Sequence, residues 1–345
     1  MRGKRSQPML FGLLASLVIL VCAQVLEWII NRELRPDAEE WTWIGDVAVS
    51  TGFFVMAVLW IRLKHTQEAL SALERDRLVI DTQLAIAAQV QRMLLPAIPP
   101  PSGGVDWFAI TKPAGSVGGD YFDFLPLPGG RMCVAIADVS GKGIPAAIFL
   151  SNVRAVLHTL IRETAEPQVL AERLSETLAQ EASGGLYVSA ILAVVDPSIP
   201  SGAGGREPGA GNAEAAVSLT YTNIGHPSGL LLRSGEPARA LNVGGPPAGL
   251  IPGTTYEQET ITLGPRDLVV LVSDGITESL DAGGLTFEAA LPAVFEGLDD
   301  VTPYLACRRL LEAAQFGTGP RGVKDWSDDK TVVAFGGRLA VGVRV

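Results

Sequence analysis

Two long apolar runs occupy the first 61 residues, and they constrain the fold of this chain more than any other feature. The runs are MLFGLLASLVILVCAQVLEWII (9–30) and WTWIGDVAVSTGFFVMAVLWI (41–61). Each has about 20 residues, so a helix formed by either run would be roughly 30 Å long, which is the thickness of a bilayer core. The sequence therefore predicts a transmembrane hairpin over 1–62, with helices at about 9–30 and 41–61.

Basic residues flank this predicted hairpin on one side. Arg2, Lys4 and Arg5 precede the first run, and Arg62 and Lys64 follow the second. Basic flanks stay on the cytoplasmic side of bacterial membranes. We therefore expect a two-pass protein of the bacterial inner membrane whose N- and C-termini are both cytoplasmic.

A cleaved signal peptide is the alternative for the first run, and Cys22 adds a lipoprotein alternative. The run is too long for a signal peptide, and Val21 is a poor match to the small residue expected before a lipidated cysteine. Glu27 and Asp46 are carboxylates near the predicted outer boundary. Solvation at the interface explains them, and a functional role in the membrane is the alternative.

Residues 63–95 change to a charged pattern that favours a helix. Apolar residues recur there at heptad spacing in two series, namely Leu63, Leu70 and Leu84, and Leu73, Ile80, Ala87 and Leu94. Arg77 interrupts the first series. The spacing predicts a coiled-coil linker that pairs two chains as a homodimer, and a helix packed on its own domain is the alternative. Pro96 and the PPP run at 99–101 end this helix.

The remaining residues, 96–345, form the predicted third domain and carry the net charge. The chain has 27 Lys and Arg against 37 Asp and Glu, which gives a net charge of −10. Residues 1–95 hold ten of each sign, so the acidic excess lies beyond them. Nucleic-acid binding is therefore excluded as a function, because phosphate contacts need a basic surface. Cys22, Cys133 and Cys307 have neither metal-ligand nor disulfide spacing.

The apolar pattern of this domain alternates between strand and helix signals. Strands are predicted at 131–137, 187–195, 217–223, 229–233 and 267–272. Helices are predicted at 143–163, 166–182, 286–297 and 301–315. A stretch rich in Gly and Pro at 197–214 predicts a long hairpin loop between two strands.

Four turns of this domain carry aspartates beside glycines or strand ends. They are AGSVGGDYFDF (114–124), AIADVSGKG (135–143), LVSDGITE (271–278) and DWSDDKT (325–331). Taken alone, the first is a turn before an aromatic strand with solvated acids. The recurrence indicates that the carboxylates converge, and carboxylates without a Cys or His cluster favour Mg²⁺ or Mn²⁺ over zinc. Two such ions can hold a hydroxide and clamp a phosphoryl oxygen.

The motifs QVQRMLLP, GGDYFDF, ADVSGKGIPAAIFLS, NIGHP, LVSDGITE and DDKT, in this order, resemble the SpoIIE/RsbU-like branch of the metal-dependent serine/threonine phosphatases. The resemblance covers roughly residues 85–337. It implies an α+β fold, an α-β-β-α sandwich in which helices flank two packed antiparallel sheets. It also implies Mg²⁺- or Mn²⁺-dependent removal of phosphate from a serine or threonine of a STAS-type anti-sigma-factor antagonist.

Carried over position by position, the resemblance makes Asp120 a metal ligand and Asp138 a bridging ligand of both ions. The carbonyl of Val139 becomes a further oxygen donor. Asp274 and Asp328 complete the set, and these four aspartates are the candidate catalytic residues. A catalytically silent membrane receptor or scaffold of the same fold is the alternative function, and the retention of all four aspartates favours the enzyme.

Other polar residues of the motifs receive different interpretations. Gly118 and Gly119 are expected to let the backbone come close while Asp120 reaches a metal. Asp123 is interpreted as supporting or structural, and Asp329 as the start of the last strand or a support for its neighbour. His226 is interpreted as a packed turn histidine rather than a general acid.

The turn formed by Gly141, Lys142 and Gly143 is expected to open a helix. The N-terminus of that helix could assist an anion, and a simple helix start is the alternative.

Overall fold

The computed structural model describes residues 23, 24, 27, 29, 39–181, 185–197, 217–281, 286–298, 300–316, 328–337 and 339–340. The chain divides into two compact units, Met1–Asp81 and Thr82–Val345. The boundary between them falls inside the predicted linker at 63–95.

Helix α1 (Glu39–Leu94) runs through the second apolar run and the linker without a break. This confirms that the linker is helical and continues from the apolar run. No helix among the described residues is both long and apolar enough to cross a membrane. The predicted span at 41–61 therefore gains no support from the structure, and most of the span at 9–30 lies outside the described residues.

The heptad residues of α1 fall into two groups of different exposure. In the first unit, Leu63, Leu70, Leu73 and Ile80 are exposed. In the second unit, Leu84, Ala87 and Leu94 are half-buried, and Ala88 is buried. The prediction of one continuous pairing face is therefore wrong over the last three turns, because those residues pack on the domain that follows them. The alternative, a helix packed on its own domain, describes this part of α1.

The described residues beyond α1 include five further helices and thirteen strands. The helices are α2 (Ile144–Leu160), α3 (Pro167–Glu181), α4 (Asp274–Asp281), α5 (Phe287–Val294) and α6 (Pro303–Phe316), with a 3₁₀ turn at Pro128–Gly130. The strands are β1 (Asp106–Lys112), β2 (Asp120–Pro126), β3 (Met132–Val139), β4 (Val188–Asp196), β5 (Val217–Ile224), β6 (Gly229–Leu232), β7 (Arg239–Leu241), β8 (Gly244–Gly245), β9 (Glu259–Leu263), β10 (Leu268–Val272), β11 (Asp300–Val301), β12 (Lys330–Gly336) and β13 (Leu339–Ala340).

The strands of the described residues form two main sheets and one short pair. The first sheet has the order β1-β12-β10-β6-β7, and all its neighbours are antiparallel. The second has the order β2-β3-β4-β5-β8, with β9 also paired to β5. Only the β5–β8 pair is parallel among the described pairings of these two sheets. Strands β11 and β13 pair separately.

Along each strand, successive side chains point to opposite faces of the sheet. Both faces of each main sheet carry buried apolar side chains. Between the sheets, Trp107 of β1 stacks on Phe335 of β12 with ring centroids 5.7 Å apart, and Phe122 and Phe124 of β2 join this layer. The outer face of the second sheet packs on α2 and α3, and that of the first packs on α4, α5 and α6. This arrangement confirms the predicted α-β-β-α sandwich.

The predicted strands and helices of this domain agree with the structure at their positions, with differences of at most three residues at the ends. The predicted hairpin loop at 197–214 lies outside the described residues apart from residue 197. Its flanking strands pair antiparallel, with Asp196 opposite Ser218. The helix α4 was missed, because its motif LVSDGITE was interpreted as a turn.

Candidate metal centre

The four candidate aspartates come from separate elements that end at the same edge of the two sheets. Asp120 begins β2 and lies opposite Asp138, which is close to the end of β3. Asp274 is the first residue of α4, directly beyond β10, and Asp328 stands two residues before β12. Strands β10 and β12 are neighbours in the other sheet. The fold therefore brings together carboxylates that are more than 200 residues apart at the extremes of the sequence.

The pKa values of these carboxyl groups show how closely the acids are gathered. Burial raises the pKa of Asp138 to about 7, and repulsion from Asp274, Asp328 and Asp329 adds to the effect. Burial, with repulsion from Asp328, also raises the pKa of Asp274. The pKa of Asp120 lies well above its usual range because the group is buried and faces Asp138. Like charges held together in this way favour the binding of a cation.

One oxygen atom of this group has no partner. Asp120 is buried, and its Oδ2 atom receives no hydrogen bond. A buried carboxylate oxygen without a partner is unfavourable by roughly 1–3 kcal/mol or more, so it marks a place where a further group is expected to bind.

The oxygen donors fit a hard divalent cation, because carboxylates and a backbone carbonyl are the ligands that Mg²⁺ and Mn²⁺ prefer. Among the described residues, no group of three or more His, Cys, Asp or Glu side chains is arranged so that it could hold an ion as it stands.

The two glycines before Asp120 are required by close packing. A Cβ atom on Gly119 would lie 3.1 Å from the Oδ1 atom of Asp138 and 3.1 Å from the carbonyl oxygen of Val139. A Cβ atom on Gly118 would lie 2.4 Å from the Oδ2 atom of Asp329. This confirms the expectation that the glycines let the backbone come close to the carboxylates.

Asp329 holds the loop that carries these glycines. Its carboxylate accepts hydrogen bonds from the backbone N–H groups of Ala114 at 2.7 Å and Gly119 at 2.5 Å. Because β12 begins at the next residue, Lys330, the carboxylate is fixed to the sheet. The interpretation of Asp329 as a support for its neighbours agrees with these contacts.

Asp328 has a basic partner that the sequence analysis did not identify. The Nζ atom of Lys142 lies 2.8 Å from its Oδ2 atom. The hydrogen bond to Asp328 raises the pKa of the Lys142 ammonium. A cleft of about 370 Å³ opens beside this pair, and Gly143, Val117 and Asp329 contribute to its lining. The cleft therefore combines two carboxylates with a cation.

Asp123 belongs to a different set of contacts. The Tyr121 hydroxyl donates to its Oδ2 atom, and the Nε2 atom of His158 lies 2.7 Å from the same oxygen. The backbone N–H of Phe124 donates to its Oδ1 atom at 2.8 Å, and the Nε atom of Arg154 lies 3.8 Å from Oδ2. These contacts connect β2 to α2, so the structural interpretation of Asp123 describes its position.

His226 lies in a packed turn, as interpreted from the sequence. The backbone N–H of His226 donates to the Oδ1 atom of Asn223 at 2.8 Å, and the Nδ2 atom of Asn223 donates to the carbonyl of His226 at 3.0 Å. The Nδ1 atom of His226 lies 2.9 Å from the Ser189 hydroxyl. Burial lowers the pKa of His226 to about 3, so the imidazole is neutral at physiological pH.

Gln91, in the last turn of α1, makes a contact that the sequence analysis missed. Its Nε2 atom donates to the carbonyl of Gly118 at 2.6 Å, and its Oε1 atom accepts from the N–H of the same residue at 3.0 Å. Gln91 belongs to the motif QVQRMLLP, but nothing in that motif indicates a contact with Gly118, which is 27 residues away. This side chain attaches the end of α1 to the loop before Asp120.

Comparison with known families identifies the chain. Residues 128–201 and 213–336 match the family described as Stage II sporulation protein E (SpoIIE), and these ranges make up more than half of the chain. The chain belongs to the SpoIIE family. Membership of the SpoIIE family places it among the metal-dependent serine/threonine phosphatases, as the motifs had indicated.

Individual relatives agree with this placement. The phosphoserine phosphatase RsbU of Bacillus subtilis is 25% identical over 267 residues, which cover 77% of this chain and 72% of RsbU. The SiaA-PP2C domain of Pseudomonas aeruginosa has a TM-score of 0.58 at 18% identity, with 75% of this chain and 97% of that chain covered. The PP2C domain of Bacillus subtilis SpoIIE, solved with a fragment of its regulatory domain, has a TM-score of 0.52 at 19% identity. That alignment covers 68% of this chain and 63% of the SpoIIE chain.

Proposed function

We propose that this chain is a membrane-anchored phosphatase that uses two divalent cations, Mg²⁺ or Mn²⁺, to hydrolyse phosphoserine or phosphothreonine on a regulatory protein. One observation carries the proposal. Four aspartates from separate elements converge at one edge of two sheets, and a buried carboxylate oxygen among them has no partner. A structural core would not collect like charges in this way.

The residues that would hold the ions are Asp120, Asp138, Asp274, Asp328 and the carbonyl of Val139. When bound, the two ions supply an activated water and neutralise charge on the phosphoryl oxygens. The carboxylates alone would repel a phosphate, so they must be neutralised before a substrate can approach.

Other residues of the chain prepare the site. Asp329 fixes the loop before Asp120, and the absent side chain of Gly119 leaves room beside Asp138. Lys142 places an ammonium at the mouth of the cleft, where it attracts an anion to an otherwise acidic surface. Its contribution is to bind and orient the phosphoryl group beside Asp328.

The proposed substrate is a phosphorylated STAS-type anti-sigma-factor antagonist. The resemblance of the six motifs to the SpoIIE/RsbU-like branch supports this class, and the relative RsbU is described as a phosphoserine phosphatase. The acidic charge of the domain also favours a protein substrate over a nucleic acid.

The activity is tested with the variants Asp138→Asn and Asp274→Asn, with p-nitrophenyl phosphate and a serine-phosphorylated STAS protein as substrates. We expect both variants to lose Mn²⁺-dependent turnover, because each removes a charged metal ligand, and calorimetry should show weaker Mn²⁺ binding. Glu312→Gln, which changes an exposed acid on α6, is the matched control.

Full turnover in either aspartate variant, or in excess chelator, would contradict the proposal. If the unaltered chain binds the phosphoprotein but shows no turnover with either metal, the silent scaffold is favoured.

The proposed membrane anchor rests on the two apolar runs and their basic flanks. The consecutive residues Phe53, Phe54, Val55 and Met56 of α1 are all exposed, so apolar side chains point in every direction around the helix there. A helix that is apolar on all sides needs apolar surroundings. A reporter enzyme that is active only in the periplasm should be silent when fused after Lys64 and active near Asp37. The opposite pattern would refute a cytoplasmic phosphatase domain.

The proposed homodimer rests on the exposed heptad residues Leu63, Leu70, Leu73 and Ile80. We expect a chain with an intact linker to sediment as a dimer and Ile80→Asp to sediment as a monomer, because a charge at a core heptad position opposes pairing. Insertion of one residue after Arg77 should change turnover by altering the register, while Asp76→Asn serves as the surface control. If the chain sediments as a monomer at all concentrations and the insertion does not change turnover, the homodimer is refuted and the helix serves only to connect the two units.

A further inference from the structure

The second unit exposes large apolar side chains on the last turns of α1, at Ile86, Val90 and Met93, and again in the domain that follows. Beyond residue 98, the described part of the chain exposes six large hydrophobic side chains, namely Ile144, Ile148, Tyr187, Leu250, Ile251 and Tyr304. The first five lie on three neighbouring segments and are here named the apolar rim. Scattered exposed apolar residues need no explanation, but a group of this kind indicates an interaction surface.

Two rim residues share one face of α2. Ile144 and Ile148 are four residues apart, so they lie one turn above the other, with 48% and 67% of their surface exposed. The opposite face of α2 carries Ala146, Leu150 and Val153, which are buried in the core. The helix therefore has a second apolar face that its own domain leaves uncovered.

Hydrogen bonds place the other rim segments beside the start of α2. The backbone N–H of Ser140 donates to the carbonyl of Tyr187 at 3.0 Å, and the N–H of Tyr187 donates to the Ser140 hydroxyl at 2.9 Å. Val188 and Ala248 exchange backbone hydrogen bonds at 3.0 and 2.8 Å. Leu250 and Ile251 are two and three residues beyond Ala248, so the three segments lie side by side.

The apolar rim is continuous with the metal centre. Ser140 is two residues beyond Asp138, and Ile144 is two residues beyond Lys142. Lys142 in turn lies 2.8 Å from Asp328. A molecule whose phosphate entered the cleft would therefore place its neighbouring surface against the rim.

The charge of the rim segments differs from that of the domain around them. The stretches 140–148, 185–187 and 247–254 contain no Asp or Glu, and their one charged residue is Lys142. The rest of the domain is strongly acidic. The rim is thus an approach to the site along which a phosphorylated, acidic partner is not repelled.

We propose that the apolar rim is the docking surface for the folded phosphoprotein substrate, where it covers apolar side chains that flank the phosphorylated serine or threonine. The inference rests on the proposed phosphatase function and deepens it. A folded protein fits better than a small ligand, because the exposed rim side chains are spread over three segments of the surface. A membrane surface fits less well, because it would cover the entrance to the metal centre.

The test compares two substrates in each variant of the full chain with Mn²⁺: p-nitrophenyl phosphate, which is too small to reach the rim, and a serine-phosphorylated STAS protein. For Ile148→Glu and Leu250→Glu, we expect the ratio of kcat/KM for the phosphoprotein to kcat/KM for the small ester to fall about tenfold, as for a residue at the centre of an interface. Tyr304→Glu, which alters the exposed apolar residue on α6, is the control and should keep the ratio.

Each other outcome has a definite meaning. An unchanged ratio in both rim variants, with normal turnover of the small ester, would overturn the docking surface and leave the phosphatase intact. No turnover of the small ester by the unaltered chain would instead overturn the proposed function. Loss of binding to anionic lipid vesicles in the rim variants, without a change in the ratio, would overturn the proposal in favour of a membrane surface. Thermal unfolding of each variant checks that the fold is retained.

Discussion

Asp120 and Asp123 lie on the same strand, and both are buried, yet their oxygen atoms have very different partners. Asp123 is surrounded by Tyr121, His158 and Arg154 and also accepts a backbone hydrogen bond. The Oδ2 atom of Asp120 has none. Burial is therefore common to both carboxylates, and what separates them is the unpartnered oxygen atom of Asp120.

The pleat of β2 explains why two residues so close together differ. Side chains alternate between the two faces of a strand, so residues three apart point to opposite sides. Tyr121 and Leu125 pack with α2 and α3, whereas Phe122 and Phe124 pack between the sheets. Asp123 therefore faces the helices, which supply basic and hydroxyl partners. Asp120 shares its face with the layer between the sheets, next to Asp138.

The largest expected difference between the two residues is in activity. Asp120→Asn removes a carboxylate that we propose as a metal ligand, so we expect kcat/KM with p-nitrophenyl phosphate to fall about 10³-fold, as when a group that stabilises a transition-state charge is lost. Asp123→Asn should keep its Mn²⁺ affinity, measured by calorimetry, close to that of the unaltered chain. If Asp123→Asn lost metal binding to the same extent while remaining folded, the distinction between the two carboxylates would break down.

The second difference is in stability, and here Asp123 has the larger effect. Asp123→Asn weakens the hydrogen bonds from Tyr121 and His158, so we expect the free energy of unfolding in urea to fall by about 2 kcal/mol. Asp120→Asn should lower it by less, since the Oδ2 atom of Asp120 has no hydrogen bond to lose. Asp76→Asn, on the exposed part of α1, is the control. Equal losses in the Asp120 and Asp123 variants would show that both are structural.

The smallest expected effect concerns pH in the absence of metal. The pKa of Asp138 rises on folding from 3.8 to about 7. Between these values the folded state binds more protons than the unfolded state, so metal-free stability falls as the pH rises. In chelator at pH 8, Asp138→Asn should therefore be more stable than the unaltered chain by about 1 kcal/mol after allowance for solvent screening.

At pH 4 that advantage should vanish. Addition of Mn²⁺ should raise the stability of the unaltered chain but not that of Asp138→Asn, and thermal unfolding measures both. A stability difference independent of pH would mean that charge repulsion is not its source.

The sandwich and the roles of the four aspartates were implied by the resemblance of six short motifs to the SpoIIE/RsbU-like branch, and each aspartate stands in its own motif. Apolar periodicity gave the order of several strands and helices but not their arrangement in layers. The ion pair of Lys142 with Asp328 was not predicted, because 186 residues separate the partners. No local pattern indicates which distant residue a side chain will contact.

Two local interpretations also failed for reasons of tertiary packing. The heptad pattern of α1 does not show where pairing gives way to packing on the same chain, since an apolar face serves both. Helix α4 was missed because Gly275 follows its first residue and glycine disfavours helices. A Cβ atom at that position would lie 2.0 Å from the carbonyl oxygen of Asp329, so close approach to β12 requires the glycine.

The contact between Gln91 and Gly118 couples the local unfolding of the last turn of α1 to the opening of the loop before Asp120. An amide that donates to and accepts from one residue acts as a short antiparallel bridge, so Gly118 gains a backbone partner from the end of α1. Its N–H can exchange with solvent only when that bridge opens. The hydrogen-exchange rate of the Gly118 amide therefore reports how often the last turn of α1 separates from the loop before Asp120.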